Sequence, residues 1–167
     1  MPSLSRPVLI ALDAGGCLVL QVGAGYLVHR LPVHFFAEDR WLFRTRRVET
    51  GGRVYERVLR VRRWKPLLPE AGALFRGGFD KSALRQRGEA LLATYVGETR
   101  RAELGHWLPL VAAPLFLAFN PWYAGAVVLL YAVVANLPCI AAQRYNRIRL
   151  QRLQADRRRR QRKIAER

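Results

Sequence analysis

The sequence predicts a mainly α-helical integral membrane protein with about three transmembrane helices, a mixed cytoplasmic loop region and a basic helical tail. Two observations carry this prediction: half of the 167 residues are apolar, and the charged quarter is separated from them along the chain. The formal net charge of +17 would by itself suggest a nucleic acid or an anionic membrane as partner. Residues 106–143 contain no charged side chain, however, and a soluble nucleic-acid-binding protein has no reason for so long an apolar gap.

The first predicted span covers residues 7–28, which is about the length that a helix needs to cross a bilayer. Asp13 is the one charged residue within it. The alternative is a cleaved signal peptide, with the small residues Gly23-Ala24-Gly25 as the cleavage region. We favour a retained span, because cleavage would place the arginine-rich part of the chain outside, against the positive-inside bias.

A second apolar run covers residues 107–142. As one straight helix it would measure about 54 Å, too long for a hydrocarbon core of about 30 Å. Asn120-Pro121 lies near its middle, and a residue before proline is disfavoured in a helix, so we expect a tight turn there. The turn defines two spans, residues 104–119 and 122–142, of which the first is short enough to be re-entrant. An interfacial aromatic belt is expected at Trp107, Trp122 and Tyr123.

Residues 30–103 form the predicted cytoplasmic region. Apolar and polar residues alternate in residues 54–63, which indicates a strand. Asp80 is a predicted N-cap for a helix that continues to Trp107 and leads into the second span. We expect one membrane domain, residues 1–150, followed by an arginine-rich tail, residues 151–167, which lies against anionic lipid.

The distribution of Lys and Arg predicts the orientation in the membrane. Seventeen of them lie in residues 30–105 and eleven in residues 144–167, against one in residues 1–29. With three spans, an outside N-terminus places residues 30–103 and the C-terminus in the cytoplasm, which satisfies the positive-inside rule. The sequence therefore predicts a multi-pass plasma-membrane protein.

Candidate chemistry begins with Thr99, Glu103 and His106, whose spacing places them along one stripe of a helix. A carboxylate beside an imidazole orients the ring and raises its basicity, as a general base for a hydroxyl nucleophile requires. The structural alternative is a surface ion-pair ladder with an interfacial histidine, and spacing alone favours that alternative. A single E-x-x-H pair does not match di-iron bundles, and the two cysteines lack metal-ligand spacing, so no metal site is expected.

The third span carries a second polar stripe, formed by Asn136, Gln143 and Arg147. Polar side chains are costly in lipid, so this stripe should face protein or a wet cavity. Interhelical hydrogen bonding is the structural alternative. Because the charged parts of the second and third spans meet at the same interface, we expect six side chains to converge there: Glu103, His106, Gln143, Arg144, Asn146 and Arg147.

Other catalytic motifs are missing from the sequence. It contains no phosphate-binding glycine loop, nucleophile elbow or zinc-protease motif. His34 and Asp39 match the H-x-x-x-x-D spacing of many acyltransferases. No phosphate-binding glycine motif accompanies them, so we interpret this match as a coincidence.

A family resemblance rests on four stretches of the sequence: VRRWKPLLPEAGALFRGGFDK, ETRRAELGHW, NPWYAG and YAVVANLPCIAAQRYNRIRL. Together they resemble the glycosyl-4,4'-diaponeurosporenoate acyltransferase family of small bacterial membrane proteins. The similarity runs from about Arg30 to Leu150. The best-known member esterifies a sugar hydroxyl of a glycosylated carotenoid acid with a fatty acyl chain, in staphyloxanthin biosynthesis.

The resemblance implies a bacterial plasma-membrane acyltransferase that esterifies a sugar hydroxyl of a glycosylated lipid. Such a reaction needs a base at the membrane surface, and from the motif positions and the chemistry above we predict His106 as the base, Glu103 as its orienting carboxylate, and Asn136 or Gln143 as stabiliser of the oxyanion. No cofactor is expected, since acyl-coenzyme A or an acyl-carrier protein is the donor substrate. The expected partners are membrane lipids, the acyl donor and a glycolipid or glycosyl carotenoid, with no nucleic acid. The predicted substrate-binding residues are Arg101, Asn136, Gln143, Arg144, Asn146, Arg147, Trp64 and Lys65, with Arg62 and Arg63 as further cations for donor phosphates or lipid head groups.

Two other interpretations remain open at this point. The chain could be a non-enzymatic membrane assembly or interaction protein with a lipid-binding basic surface, in which case His106 is dispensable. It could also bind nucleic acid through a membrane-tethered tail, in which case deletion of residues 156–167 abolishes function.

Overall fold

The computed structural model describes residues 5–68 and 89–166, and these residues are almost entirely helical. The α-helices are α1 (Arg6–Arg30), α2 (Val61–Trp64), α3 (Glu89–Ala112) and α4 (Trp122–Ala165). Tighter or wider helical turns occupy Val33–Phe36, Arg47–Gly52, Val54–Val58, Lys65–Leu67 and Ala113–Ala118. No strand occurs in the described ranges, and the mainly α-helical fold class is confirmed.

Contacts between residues group the chain into two compact units. The apolar unit comprises Met1–Leu31 and Glu103–Ile140, and the basic unit comprises Pro32–Ala102 and Ala141–Arg167. The boundaries between the units fall within α3 and within α4. The predicted division into a domain of residues 1–150 and a tail was drawn from composition, and it stays a prediction.

Two described helices, α1 and α4, are long and apolar enough to cross a membrane. α1 begins at Arg6, with Pro7 in its first turn, where the missing N–H of proline costs no helical hydrogen bond. It exposes many large apolar side chains, including Ile10, Leu18 and Val19, as a helix surrounded by lipid does. The apolar runs at residues 7–28 and 122–142 therefore form helices as predicted.

The segment of the short second span differs from the other two. α3 ends at Ala112, and the chain continues as a tighter 3₁₀ turn over Ala113–Ala118. Pro114 explains the change, because proline lacks an N–H and clashes with the preceding helical turn. This segment does not form one long apolar helix like α1 or α4, so three crossings remain a prediction.

The turn at Asn120-Pro121 is present as predicted. The helical turn ends at Ala118, Asn120 caps it by donating its backbone N–H to the Phe116 carbonyl at 3.2 Å, and α4 begins at Trp122. Gly125 is required for the close approach of the two segments. A Cβ atom at this position would lie only 2.4 Å from Cδ2 of Leu117.

The strand predicted in residues 54–63 is wrong. Val54–Val58 forms a π-helical turn and Val61–Trp64 forms α2, with Arg60 between them in the left-handed region at φ 48°. The helical turns direct Tyr55 and Val61 into a core with Ala142, Tyr145 and Ile148 of α4. Alternation misled the prediction because only these two residues of the segment are buried, and six positions separate them.

α4 extends far beyond the apolar run. Its 44 residues would measure about 66 Å, roughly twice the hydrocarbon thickness. The last turns carry exposed basic residues up to Ala165, so the basic helical tail is confirmed. The predicted N-cap at Asp80 lies outside the described residues, and the described part of that helix begins at Glu89.

Candidate active site

His106 of α3 and Asn136 of α4 form the polar centre of the apolar unit. Nδ1 of His106 lies 3.0 Å from Oδ1 of Asn136, and the Asn136 side chain is fully buried. The Nδ2 group of Asn136 donates to the carbonyl of Ala132 at 2.9 Å. This second bond orients the amide, because its donor end faces the helix backbone and its acceptor end faces the imidazole.

The amide orientation determines the tautomer of His106. An oxygen atom opposite Nδ1 can only accept, so Nδ1 of the neutral ring carries the hydrogen. Nε2 then holds a lone pair and can act as a base. The hydrogen bond that orients the ring therefore comes from Asn136, whereas the sequence predicted Glu103 for this role.

Glu103 lies one turn before His106 on α3 and is fully buried. Its Oε1 accepts a hydrogen bond from Nε1 of Trp107 at 3.2 Å. A carboxyl group buried in an apolar unit is costly unless it is hydrogen-bonded, and inside a membrane such a group usually marks a functional site. Thr99, the third residue of the predicted stripe, donates its hydroxyl to the Val96 carbonyl of its own helix.

Gln21 of α1 was missed as a candidate. It lines a small cavity of the apolar unit together with Asn136 and Phe116. Its Oε1 is buried and has no hydrogen-bond partner among the described residues. The signal was present in the sequence, since a lone amide in a predicted span is unusual.

Asp13 and Asn120 form a separate polar contact in the apolar unit. Oδ1 of Asp13 accepts from Nδ2 of Asn120 at 2.6 Å. The bond joins the N-terminal part of α1 to the Asn-Pro turn. It explains how one carboxylate is accommodated in the first span, and it gives Asp13 a structural role.

Arg144, a predicted phosphate ligand, is engaged within the basic unit. Its Nη1 contacts Oε1 of Glu49 at 2.8 Å, and its Nη2 donates to the Leu42 carbonyl at 2.6 Å. Burial opposes ionisation of Glu49, but the Arg46 N–H, the Tyr55 hydroxyl and the Arg144 guanidinium together lower its pKa. Burial raises the pKa of Tyr55, and its bond to Glu49 adds to the shift.

Other predicted binding residues are distributed over the basic unit. Nζ of Lys65 donates to Oδ1 of Asn146 at 2.5 Å, so these two residues do meet. Arg101 is paired with Glu98 at 2.6 Å, and Nε1 of Trp64 donates to the Leu59 carbonyl at 2.7 Å. The structure places Arg147 in a buried position, Gln143 in a half-buried position, and Arg62 and Arg63 in exposed positions.

The H-x-x-x-x-D match at His34 also has a structural explanation. Asp39 is paired with Arg100 at 2.5 Å, and Arg100 additionally donates to the carbonyls of Phe36 and Ala37. These contacts tie the segment after α1 to α3 within the basic unit. His34 is exposed, which agrees with the interpretation that its spacing from Asp39 is a coincidence.

Comparison with known proteins gives a consistent family. Residues 39–156 match the family described as glycosyl-4,4'-diaponeurosporenoate acyltransferase. Proteins of that name from Staphylococcus aureus strains bovine RF122 / ET3-1 and MRSA252 are each 30% identical over 136 residues, which is 81% of this chain and 82% of theirs. The protein from strain USA300 is 29% identical over the same shares. No solved structure matches the chain.

The matched range includes the His106–Asn136 pair of the apolar unit and the Glu49–Arg144 pair of the basic unit. His106, Asn136, Glu49 and Arg144 lie within residues 39–156, and α1 lies before this range. The range matched by the family therefore contains the histidine centre. Gln21 lies in α1, outside that range.

Proposed function

The chain belongs to the glycosyl-4,4'-diaponeurosporenoate acyltransferase family, and we propose that this acyltransferase esterifies a sugar hydroxyl of a glycosylated lipid with a fatty acyl chain. The observation that supports the reaction is the hydrogen bond between His106 and Asn136, because it leaves Nε2 available as a base. The names of the relatives make a glycosylated carotenoid acid the first acceptor to test.

The proposed chemistry uses His106 twice. Nε2 takes the proton of the sugar hydroxyl while the oxygen attacks the thioester carbonyl, so a C–O bond forms. When the tetrahedral intermediate collapses, the C–S bond breaks and the imidazolium returns the proton to the leaving thiolate. Atoms and protons balance, and the products are the ester and the free thiol of the donor.

Asn136 acts on the base in this scheme. Its acceptor oxygen holds the hydrogen on Nδ1, and its amide nitrogen donates one hydrogen to Ala132, which leaves the second amide hydrogen for the oxyanion. Glu103 lies one helical turn before His106 on the same helix, and its Oε1 accepts from Trp107.

The donor is proposed to be acyl-coenzyme A or an acyl-carrier protein, and both carry phosphate groups. Arg62 and Arg63 are exposed cations of the basic unit and are suited to phosphate oxygens. A donor of this kind is made in the cytoplasm. The proposed topology, with the N-terminus outside and residues 30–103 and the C-terminus in the cytoplasm, follows the positive-inside bias of the chain.

The test uses the full-length protein in lipid nanodiscs with radiolabelled acyl-coenzyme A or acyl-carrier protein and a panel of glycolipid acceptors. We expect transfer to the glycosylated carotenoid acid or a related glycolipid. His106→Ala should lower the rate by about 10²–10⁴-fold, the typical contribution of a general base. His34→Ala is the matched control, because this histidine is exposed and should be dispensable.

Two results would overturn the proposal. One is a wild-type protein that acylates no acceptor of the panel with either donor. The other is a His106→Ala protein that transfers as fast as wild type, which would move the chemistry away from the histidine centre.

A further inference from the structure

An apolar groove runs along the surface of the apolar unit between α1 and the end of the second apolar segment. α1 contributes Leu12, Gly16 and Val19, and the facing segment contributes Leu115, Phe116 and Phe119. The groove is an open depression with a volume of about 470 Å³. Its lining residues are all apolar or glycine, which suits a hydrocarbon ligand.

Gly16 shapes the floor of this groove. A Cβ atom at position 16 would lie 2.8 Å from Cζ of Phe116, so a side chain there would displace the phenyl ring from its place against α1. Gly15, the preceding residue, faces open space and has no such contact. The two glycines therefore provide a matched pair, one inside the groove and one outside it.

The groove adjoins the histidine centre. Leu20 and Phe116 line both the groove and the small cavity, whose lining also includes Asn136 and Gln21. That cavity has room for about one water molecule at most, at about 10 Å³. The ring of Phe116 thus lies between an apolar groove and a polar end at which Asn136 holds His106.

We propose that this groove binds the fatty acyl chain of the donor, with the carbonyl end toward His106 and the tail toward Leu12 and Phe119. The inference rests on the proposed acyl transfer and specifies where one of its substrates lies. A site with a polar end and an apolar groove matches a molecule with a polar head and a hydrocarbon tail.

Length also favours an acyl chain over the rigid hydrocarbon of a carotenoid acceptor. From Leu12 to Leu20 the groove follows about 12 Å of α1. This is close to half of the hydrocarbon core of about 30 Å, which is the depth that one leaflet's tails fill. A polyene rod that spans the bilayer would extend well beyond the groove.

The first experiment measures kcat/KM for a series of saturated acyl donors of increasing length. Val19→Trp narrows the groove, and Leu18→Trp places the same bulk at an equally exposed neighbour outside it. We expect Val19→Trp to lose about tenfold or more for the longest donors relative to the shortest, since a methylene in an apolar pocket is worth about 10–200-fold. Leu18→Trp should keep the wild-type dependence of kcat/KM on chain length. Gly16→Leu should lose activity with the longest donors as Val19→Trp does, and Gly15→Leu should behave like wild type.

An unchanged chain-length profile in a folded Val19→Trp protein would overturn the groove assignment while leaving the acyl transfer itself intact. Equal shifts in Val19→Trp and Leu18→Trp would overturn it as well. Folding of each variant is checked by gel filtration and thermal unfolding in detergent.

A second experiment tests whether the groove binds an acyl chain, and it gives a result even if no acyl transfer is found. A fatty acyl-coenzyme A with a photoactivatable diazirine at the end of its chain is crosslinked to His106→Ala protein in nanodiscs, and the labelled residues are mapped. We expect label on Leu12, Leu115 and Phe119, which line the tail end of the groove, reduced by unlabelled acyl-coenzyme A and by Val19→Trp. Label that only the glycosyl carotenoid displaces would assign the groove to the acceptor, and label spread evenly to Leu18 would assign it to bulk lipid; either result contradicts the proposal.

Discussion

The main buried polar contacts of the two units differ in kind: the basic unit contains an ion pair between Glu49 and Arg144, and the apolar unit contains an amide–imidazole pair between Asn136 and His106. In the basic unit, the buried Glu49 pairs with the half-buried Arg144, and both side chains have further partners within the unit: the Arg46 N–H and the Tyr55 hydroxyl for Glu49, and the Leu42 carbonyl for Arg144. In the apolar unit, polar side chains are few, yet the hydrogen-bond partner of His106 leaves Nε2 available and Oε1 of Gln21 has no partner among the described residues.

This difference distinguishes polar side chains that stabilise the fold from polar side chains that can act on a ligand. A buried charge that is fully engaged stabilises one arrangement of the chain and has nothing left for a substrate. An amide or imidazole in apolar surroundings with remaining hydrogen-bonding capacity can act on a ligand instead. The many arginines of the basic unit therefore do not identify the catalytic residues. The few polar side chains of the apolar unit are the better candidates.

The largest expected effect concerns the stability of the basic unit. Arg144→Ala leaves the buried Glu49 carboxylate without its guanidinium, and we expect a loss of about 3–5 kcal/mol in unfolding free energy. Thermal unfolding in detergent measures it. If Arg144→Ala unfolds like wild type but raises KM for the acyl donor, Arg144 is a substrate ligand as the sequence predicted, and the contrast between the units fails.

The pH dependence of the same variant sharpens the test. Because the folded state lowers the pKa of Glu49 below its usual value of 4.5, the ion pair stabilises the fold above that pH and loses its effect as the pH falls through the lowered pKa. The difference in melting temperature between wild type and Arg144→Ala should therefore shrink on acidification. Arg62→Ala, which removes an exposed arginine, is the control and should show no such trend.

The second effect concerns catalysis in the apolar unit. Asn136→Leu removes the acceptor that holds the hydrogen on Nδ1 of His106, and we expect kcat to fall by about 10²-fold with little change in KM. Asn136→Asp can still accept this hydrogen bond, so it should retain more activity than Asn136→Leu. Equal losses in both variants, or a loss explained by unfolding, would show that Asn136 only packs the helices.

The smallest effect concerns the exposed cations of the basic unit. Replacement of Arg62 and Arg63 by Gln should raise KM for acyl-coenzyme A by up to about 30-fold at low salt, since each cation near a charged surface contributes about 1 kcal/mol and the two together about 2 kcal/mol. The effect should weaken as salt screens the charges, and kcat should stay unchanged. A fall in kcat with constant KM would mean that these arginines act on the reaction itself.

Several features of the fold were predictable because they depend on local sequence. Apolar runs long enough to cross a membrane are sums over neighbouring residues, and they form α1 and the first half of α4. Asn120-Pro121 interrupts the helix through its own backbone geometry. Alternation in residues 54–63 failed because a two-residue period describes a strand only when one face is buried throughout, whereas Tyr55 and Val61 alone enter the core.

The residues of the candidate site could be predicted from the sequence, but the hydrogen bonds and ion pairs that they make could not. His106 and Asn136 were both selected as polar residues in apolar segments, and the structure joins them across 30 positions. The expected convergence with Arg144 and Asn146 was drawn from their position at one predicted interface. The structure instead engages these two with Glu49 and Lys65, residues that no spacing rule connects to them.

By itself, the sequence determined the helical class, the apolar segments, the turn at Asn120-Pro121 and the family, because these follow from composition and motif order along the chain. Only the tertiary structure decided that Asn136 orients His106, that Glu49 engages Arg144, and that Gly16 and Phe116 shape a groove. The physical reason is range: a hydrogen bond is made or lost over less than 1 Å, and such distances depend on how each helix is rotated against its neighbours. No local pattern contains that rotation.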